Sequence, residues 1–269
     1  MIIDAHVHIF PEIRGYGPKG QIRSDKYGMI DFGDGRPVPV LPAVNETTKH
    51  TLPMLLQNME RSGVDRAVLI LCPCYGDWSD YVLEACRAYP EKFVGSAFFD
   101  PWRADARTYF EEKLRGPTWK NIKIEFSESG GLCGVYPGAE LDAPELRWMW
   151  DAMEAEGKTV SFDLGRPGDR SYQTAQIRAI AGFMDSTGDF NFCTEYKSLK
   201  LVICHVGQPS RGAERDPALW SAWLDQIRLG QLDNVWFDLS AMPFHVQEDE
   251  EYPFPSTKRY FDLALSMVG

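Results

Sequence analysis

Asp4, His6 and His8 alternate with Ala5 and Val7 directly after the apolar run Met1-Ile2-Ile3. In an extended chain, residues two apart point to the same side, so these three polar side chains are expected to project together. Two imidazoles side by side make half of a transition-metal site. A third histidine, His205, ends the apolar run Leu199–Cys204 and is followed two residues on by Gly207. A histidine so placed is either a core residue or a site residue, and the company of His6 and His8 at one rim favours the site. Other strand-like runs deliver Lys123 and Glu125, then Asp163, then Asp238 and Ser240. Lys123 and Glu125 share one face and read equally as a buried ion pair or as site groups. Asp163 either caps the loop after it or serves the site. His50, just before a helical stretch, reads as solvated. His245 lies in a late loop beside the acidic run Glu248–Glu251, which reads as a solvated face.

The elements that must carry these residues alternate along the chain. Apolar runs suited to strands buried on both faces span Ile2–Ala5, Ala67–Cys72, Phe93–Phe99, Asn121–Phe126, Thr159–Phe162, Leu199–Cys204 and Val235–Leu239. Between them, apolar residues at helical spacing predict helices over Thr51–Arg61, Asp80–Ala88, Ala104–Leu114, Pro144–Glu156, Tyr172–Asp185, Ala218–Leu229 and Thr257–Val268. Asp142 and Glu145 have capping-box spacing. Gly63, Gly157, Gly230 and Gly269 are expected to close helices in the left-handed conformation. This grammar predicts a TIM-type (β/α)8 barrel of which the chain supplies seven units, over one domain, 1–269. An eighth unit, a strand ending in aspartate and then a helix, is expected after Gly269. The bland alternative is an open doubly wound sheet. A barrel lacking a unit has exposed edges, with which a homo-oligomer is compatible. Residues 10–48 form a long Gly- and Pro-rich loop leaving from the rim that carries His6 and His8, as a lid or binding loop would.

Composition narrows the partners. With 28 basic against 39 acidic residues, the net charge of −11 opposes nucleic acid and anionic membrane surfaces, which require a basic face. No apolar run is long enough to span a bilayer. Cys72, Cys74, Cys86, Cys133, Cys193 and Cys204 fit small buried hydrophobes in a reducing, cytoplasmic setting rather than a disulfide framework. Cys72-Pro73-Cys74 lacks the spacing of a redox CxxC pair and reads as structural. Arg14, Arg23, Arg166, Arg170, Arg211 and Arg215 cluster in loops on one side of the barrel. Arginine forks match carboxylates, so a small anionic substrate is expected.

The runs IIDAHVHIF at the N-terminus, LKLVICHVGQP at 199–209 and DNVWFDLSAM at 233–242 resemble the amidohydrolase superfamily, in its amidohydrolase 2 branch. The likeness runs in order along the whole chain. It implies a distorted barrel with one divalent ion, often zinc; a donor set as rich in oxygen as His6, His8 and Asp163 also admits manganese. His6 and His8 match the ligands of the first strand, and His205 the acid–base histidine of the sixth. Two departures stand out. Asp163 occupies the place of a ligand histidine, and the usual last-strand aspartate lies outside these residues. The metal set carried forward is therefore His6, His8, Asp163 and Glu125, with His205 and Asp163 as catalytic groups. The activity implied is metal-dependent hydrolysis of a small carboxylated amide, ester or lactone by an activated water. The alternatives are nonoxidative decarboxylation of a small aromatic or unsaturated acid, and a truncated or non-catalytic barrel.

Overall fold

The computed structural model describes residues 1–43, 45–182, 198–246 and 253–268. Cys193, the acidic run at 248–251, Gly269 and the end of the helix expected at 172–185 lie outside the described residues. All seven expected strands are present: β1 (Ile3–Val7), β2 (Arg66–Ile70), β3 (Phe93–Phe98), β4 (Asn121–Glu125), β5 (Thr159–Asp163), β6 (Lys200–Ile203) and β7 (Val235–Phe237). They lie in sequence order in one sheet, each parallel to the next. Sequential parallel order requires a crossover between every pair, and helices supply most of them: Leu52–Ser62, Ser79–Ala88, Arg147–Ala155, Thr174–Ile180 and Pro217–Ile227. The sheet curves until His6 on β1 touches Asp238, the residue after β7. The fold is thus of the TIM-barrel type, with seven strands among the described residues. Ile3 and Trp236 in the two outer strands, and Ile2 and Leu239 beside them, remain exposed.

The main core lies between sheet and helices, where Leu69, Ile122, Val160, Leu201, Met149 and Trp150 are fully buried. The barrel interior is more polar than the apolar runs suggested. Ser96 of β3 donates to Asn121 of β4, whose amide donates to Ser161 of β5 at 2.9 Å. One pleat higher, the Lys123 ammonium reaches Cys204 Sγ at 3.2 Å and Glu125 Oε2 at 3.5 Å. These tiers hold up the rim.

Several local expectations are corrected. Gly63 and Gly157 close helices at φ 68° and 62°, but Gly230 does not take the left-handed conformation. It sits in a 3-10 turn where a Cβ would lie 2.8 Å from Val268 Cγ1, so close packing selects the glycine. The Asp142/Glu145 box does not form: a 3-10 turn starts at Pro144 after Ala143, without a side-chain cap. The helix expected over Ala104–Leu114 is a short α-turn, Ala106–Tyr109, running into a π-turn, Phe110–Leu114. The segment 10–48 is not structureless. It holds a Tyr16–Gly17/Gly20–Gln21 hairpin and a three-stranded sheet of Arg23–Ser24, Met29–Asp31 and Val38–Pro39, closed over Phe10, Ile13, Ile22 and Ile30.

Candidate functional site

The strand ends converge on His6, His8, His205, Asp163 and Asp238. β1 shows a register irregularity between Asp4 and Val7. The Asp4 carboxylate accepts the backbone N–H of His6, two residues on, at 3.1 Å, so it does not join the histidines as expected. His6 and His8 do meet, with their Nε2 atoms 3.1 Å apart.

The hydrogen bonds assign the tautomers. His8 Nδ1 lies 2.7 Å from the Ile70 carbonyl, which only accepts, so Nδ1 carries the proton. His6 Nδ1 lies 2.9 Å from Asp238 Oδ2 and likewise donates. Burial pushes His6 down to about 4, against the pull of Asp238, and burial followed by His6 itself pushes His8 below its ordinary value. At neutral pH both Nε2 atoms are therefore bare lone pairs aimed at each other. Such an arrangement is repulsive unless a cation is shared. Two nitrogens on one tetrahedral zinc, each at about 2.0–2.1 Å, would stand roughly 3.3 Å apart, close to the spacing here. A carboxylate behind a ligating imidazole, as Asp238 stands behind His6, fixes tautomer and ring orientation in metal sites. The donor set thus fits a divalent ion.

Ligand atoms of His6, Cys204 and Asp238 also lie within 4.8 Å of one another. That set is poorer. Burial raises the Cys204 thiol, and the Lys123 ammonium sits on its sulfur.

His205 is held differently. Its Nδ1 faces the Ser240 carbonyl at 3.1 Å and the Ser240 hydroxyl at 2.8 Å, and its Nε2 faces Asp163 Oδ2 at 3.3 Å. Acceptors on both sides favour a doubly protonated ring. Burial works against that charge, but the Asp163 hydrogen bond and charge outweigh it and raise the pKa. Asp163 in turn is pushed up by burial and held well below the carboxylate range by His205 and Lys123. Its Oδ1 accepts from Gln208 at 2.6 Å and Gly165 at 3.0 Å. Asp163 thus stands behind His205 rather than against His6 or His8. Glu125 accepts from Ser127 at 2.6 Å, and burial, then the charge of Asp163, raises it to about 7.

The backbone that presents His205 is unusual. His205, Val206 and Gln208 have φ of 59°, 50° and 51°. A β-branched residue there is strained. The turn is held from several sides: His205 N–H donates to Asp238 Oδ1 (2.8 Å), Val206 N–H to the Asp238 carbonyl (2.9 Å), Trp223 Nε1 to the Val206 carbonyl (2.8 Å) and the Tyr172 hydroxyl to the Gly207 carbonyl (2.8 Å). His245 packs on His205 at 4.5 Å between ring centroids, and burial pushes it down to about 3. His50 caps the His8 carbonyl at 2.8 Å.

A cavity of about 460 Å³ opens beyond the C-terminal ends of β2 and β3, lined by Arg14, Cys72, Phe98, Asp100, Arg103 and Tyr109 among others. Of the arginines singled out in the sequence, Arg14 lines it. Arg170 does not: Glu128 holds it at 2.6 Å. Arg103 was not singled out, because it follows β3 in a stretch with no other chemical signal.

Residues 3–269 match the family model described as amidohydrolase. The chain belongs to the amidohydrolase family. No curated protein matches the sequence. The fold is similar to an amidohydrolase from Burkholderia multivorans with bound zinc, at 14% identity, covering 100% of this chain and 81% of that one, TM-score 0.66. It is also similar to a probable 2-pyrone-4,6-dicarboxylic acid hydrolase from Acinetobacter baumannii with citric acid bound, at 15% identity, 99% and 78% coverage, TM-score 0.59. A 4-oxalomesaconate hydratase from Rhodopseudomonas palustris matches at 17% identity over 81% of this chain and 64% of its own, TM-score 0.51. Family members are enzymes acting on small molecules, and the fold, at these identities, is what the solved structures share with this chain. Among the described residues no helix is long and apolar enough to cross a membrane.

Proposed function

We propose that the chain is a metal-dependent hydrolase of a small carboxylated ester, lactone or amide. The observation that carries this reading is the facing pair of bare Nε2 atoms on His6 and His8, 3.1 Å apart. In this reading the two histidines hold one divalent ion, zinc or manganese; Asp163 is not assigned as a ligand, since its Oδ2 faces His205 Nε2 and its Oδ1 accepts from Gln208 and Gly165. Glu125 is not assigned as a ligand, since Ser127 and Lys123 occupy its two oxygens. A divalent ion here supplies polarisation of a carbonyl and a lowered pKa for water.

The chain's own groups do the rest. Asp238 keeps the His6 proton on Nδ1, so that Nε2 stays available. Asp163 keeps a proton on His205 Nε2, and that imidazolium is the general acid for the departing oxygen or nitrogen. Arg14, which lines the 460 Å³ cavity, provides a cationic wall for a substrate carboxylate, whereas both oxygens of Asp105 hold Arg103. The zinc in one structural relative and the dicarboxylic substrate named for another are in keeping with this reading.

The test is a panel of carboxylated esters and lactones against benzoate-type acids, with metal-loaded and chelated protein. Hydrolysis that disappears on chelation and returns with zinc or manganese supports the proposal. Release of carbon dioxide from an acid, without ester or lactone cleavage, would replace it with a decarboxylase. No stoichiometric metal at all would remove its foundation.

A further inference from the structure

Cys72 and Cys74 follow β2 with Pro73 between them, and their Sγ atoms stand 2.9 Å apart. Non-bonded heavy atoms rest roughly 3.5–4.0 Å apart, and a disulfide closes at about 2.05 Å. The pair is therefore already inside ordinary contact and about 0.9 Å from bonding distance.

The turn that carries the thiols is fixed. Tyr75 N–H donates to the Cys72 carbonyl at 3.1 Å, and Gly76 N–H to the Pro73 carbonyl at 3.2 Å. From the segment after β1, Tyr16 N–H donates to the Pro73 carbonyl (3.1 Å) and Arg14 N–H to the Tyr75 carbonyl (3.2 Å). Gly15 lies so close that a Cβ there would fall 2.1 Å from the Pro73 carbonyl oxygen. The two sulfurs are thus held side by side by backbone on both flanks. Access exists as well: Cys72 lines the 460 Å³ cavity, and Cys74 is half-buried.

We propose that Cys72 and Cys74 are a reversible oxidation site, a dithiol that a hydroperoxide converts to a disulfide within the turn. The hydrogen bond to Cys74, then burial, keeps the Cys72 thiol protonated, so Cys74, the more exposed residue of the two, meets the oxidant first. Its sulfur attacks hydrogen peroxide, the O–O bond breaks, and a sulfenic acid and one water result. The Cys72 sulfur then attacks the sulfenic sulfur. The S–O bond breaks, the hydroxide leaves with the Cys72 proton as a second water, and the S–S bond forms. Two electrons have left the sulfurs and reduced the peroxide. A dithiol reductant reverses the step by exchange.

The turn is also a wall of the candidate site. Tyr75, one residue on, packs against the His8 ring at 4.8 Å and stacks on Phe10 at 4.4 Å. The Ile70 carbonyl, two residues before Cys72, orients His8. The disulfide state is thereby linked to the setting of His8, whether or not that histidine holds a metal.

The experiment treats the full chain with graded hydrogen peroxide, alkylates under denaturing conditions and maps peptides by mass. The expected result is a 72–74 peptide lighter by two hydrogens and unalkylated, at doses where Cys86, Cys133 and Cys204 remain alkylated, and restored by dithiothreitol. In Cys72→Ser the sulfenic acid on Cys74 should persist and be trapped by dimedone. Full alkylation of both cysteines at doses that oxidise Cys86, Cys133 and Cys204, or passage of Cys74 to sulfinic acid in the native chain without closure, would overturn the proposal. Because the readout is thiol mass in the native chain, it stands apart from catalysis and from the folding of any variant.

Discussion

Replacing Asp238 by asparagine removes one acceptor from a group that uses several. Oδ1 accepts from His205 N–H at 2.8 Å, from Ser240 N–H at 3.1 Å and from the Ser240 hydroxyl, whereas Oδ2 accepts from His6 Nδ1 alone at 2.9 Å. The asparagine carbonyl is expected to keep the crowded side, which turns its NH2 toward His6. Nδ1 must then accept, and the His6 proton moves to Nε2, where it points at His8. The bare pair is lost. Partners behind metal-bound histidines are worth about 10–100-fold in affinity, or about 1.4–2.7 kcal/mol. A hydrogen bond to a charged group contributes about 1.5–3 kcal/mol to stability, and Asp238 is only 4% exposed, so a loss of about 2 kcal/mol in unfolding free energy is expected as well. Competition with a chromophoric chelator reads the first number, and urea unfolding of the metal-free chain reads the second. Unchanged zinc affinity in Asp238→Asn, with its fold intact, would refute the tautomer argument.

Other expected outcomes follow from the same geometry. His6→Ala with His8→Ala should abolish stoichiometric metal in elemental analysis while circular dichroism stays native. His205→Asn should lower turnover by roughly 10²–10⁴-fold, and Asp163→Asn should shift the alkaline limb of kcat/KM to lower pH, because Asp163 raises the His205 pKa. Glu125 has a folded pKa raised from 4.5 to about 7. Its ionisation therefore costs stability as pH rises through that window, and urea midpoints of Glu125→Gln should decline less between pH 5 and pH 8 than those of the parent chain. Trp223→Phe deletes the hydrogen bond to the Val206 carbonyl and should cost about 1–3 kcal/mol of thermal stability through an orphaned buried acceptor.

The strands were legible because burial on both faces leaves an unbroken apolar signature, visible in Ala67–Cys72 and Leu199–Cys204 alike. His6, His8 and His205 were legible because each interrupts such a run. What escaped notice depended on distance or on backbone. Asp238 was seen at a strand end, but its tie to His6 spans 232 residues and leaves no local trace. The polar tier of Ser96, Asn121 and Ser161 looks in sequence like ordinary hydrophilic residues. The left-handed turn at His205–Gln208 uses residues that disfavour it, so no glycine signal marks three of its four positions. The antiparallel strands within 10–48 are two or three residues long, too short for any period to show.

The span between His6 and Asp238 also bears on when the site can exist. A ribosome delivers His6 and His8 before Asp238, which follows His6 by 232 residues. Until then nothing fixes the His6 proton on Nδ1, and no rim is present to exclude water. An emerging chain therefore offers His6 and His8 only as flexible, solvated imidazoles, which bind cations weakly and with little choice. Closing so long a loop has an entropic cost that grows only logarithmically with length, but it orders events. In the proposed reading, cation selectivity belongs to the folded rim, and a cell would load such a chain after synthesis rather than during it.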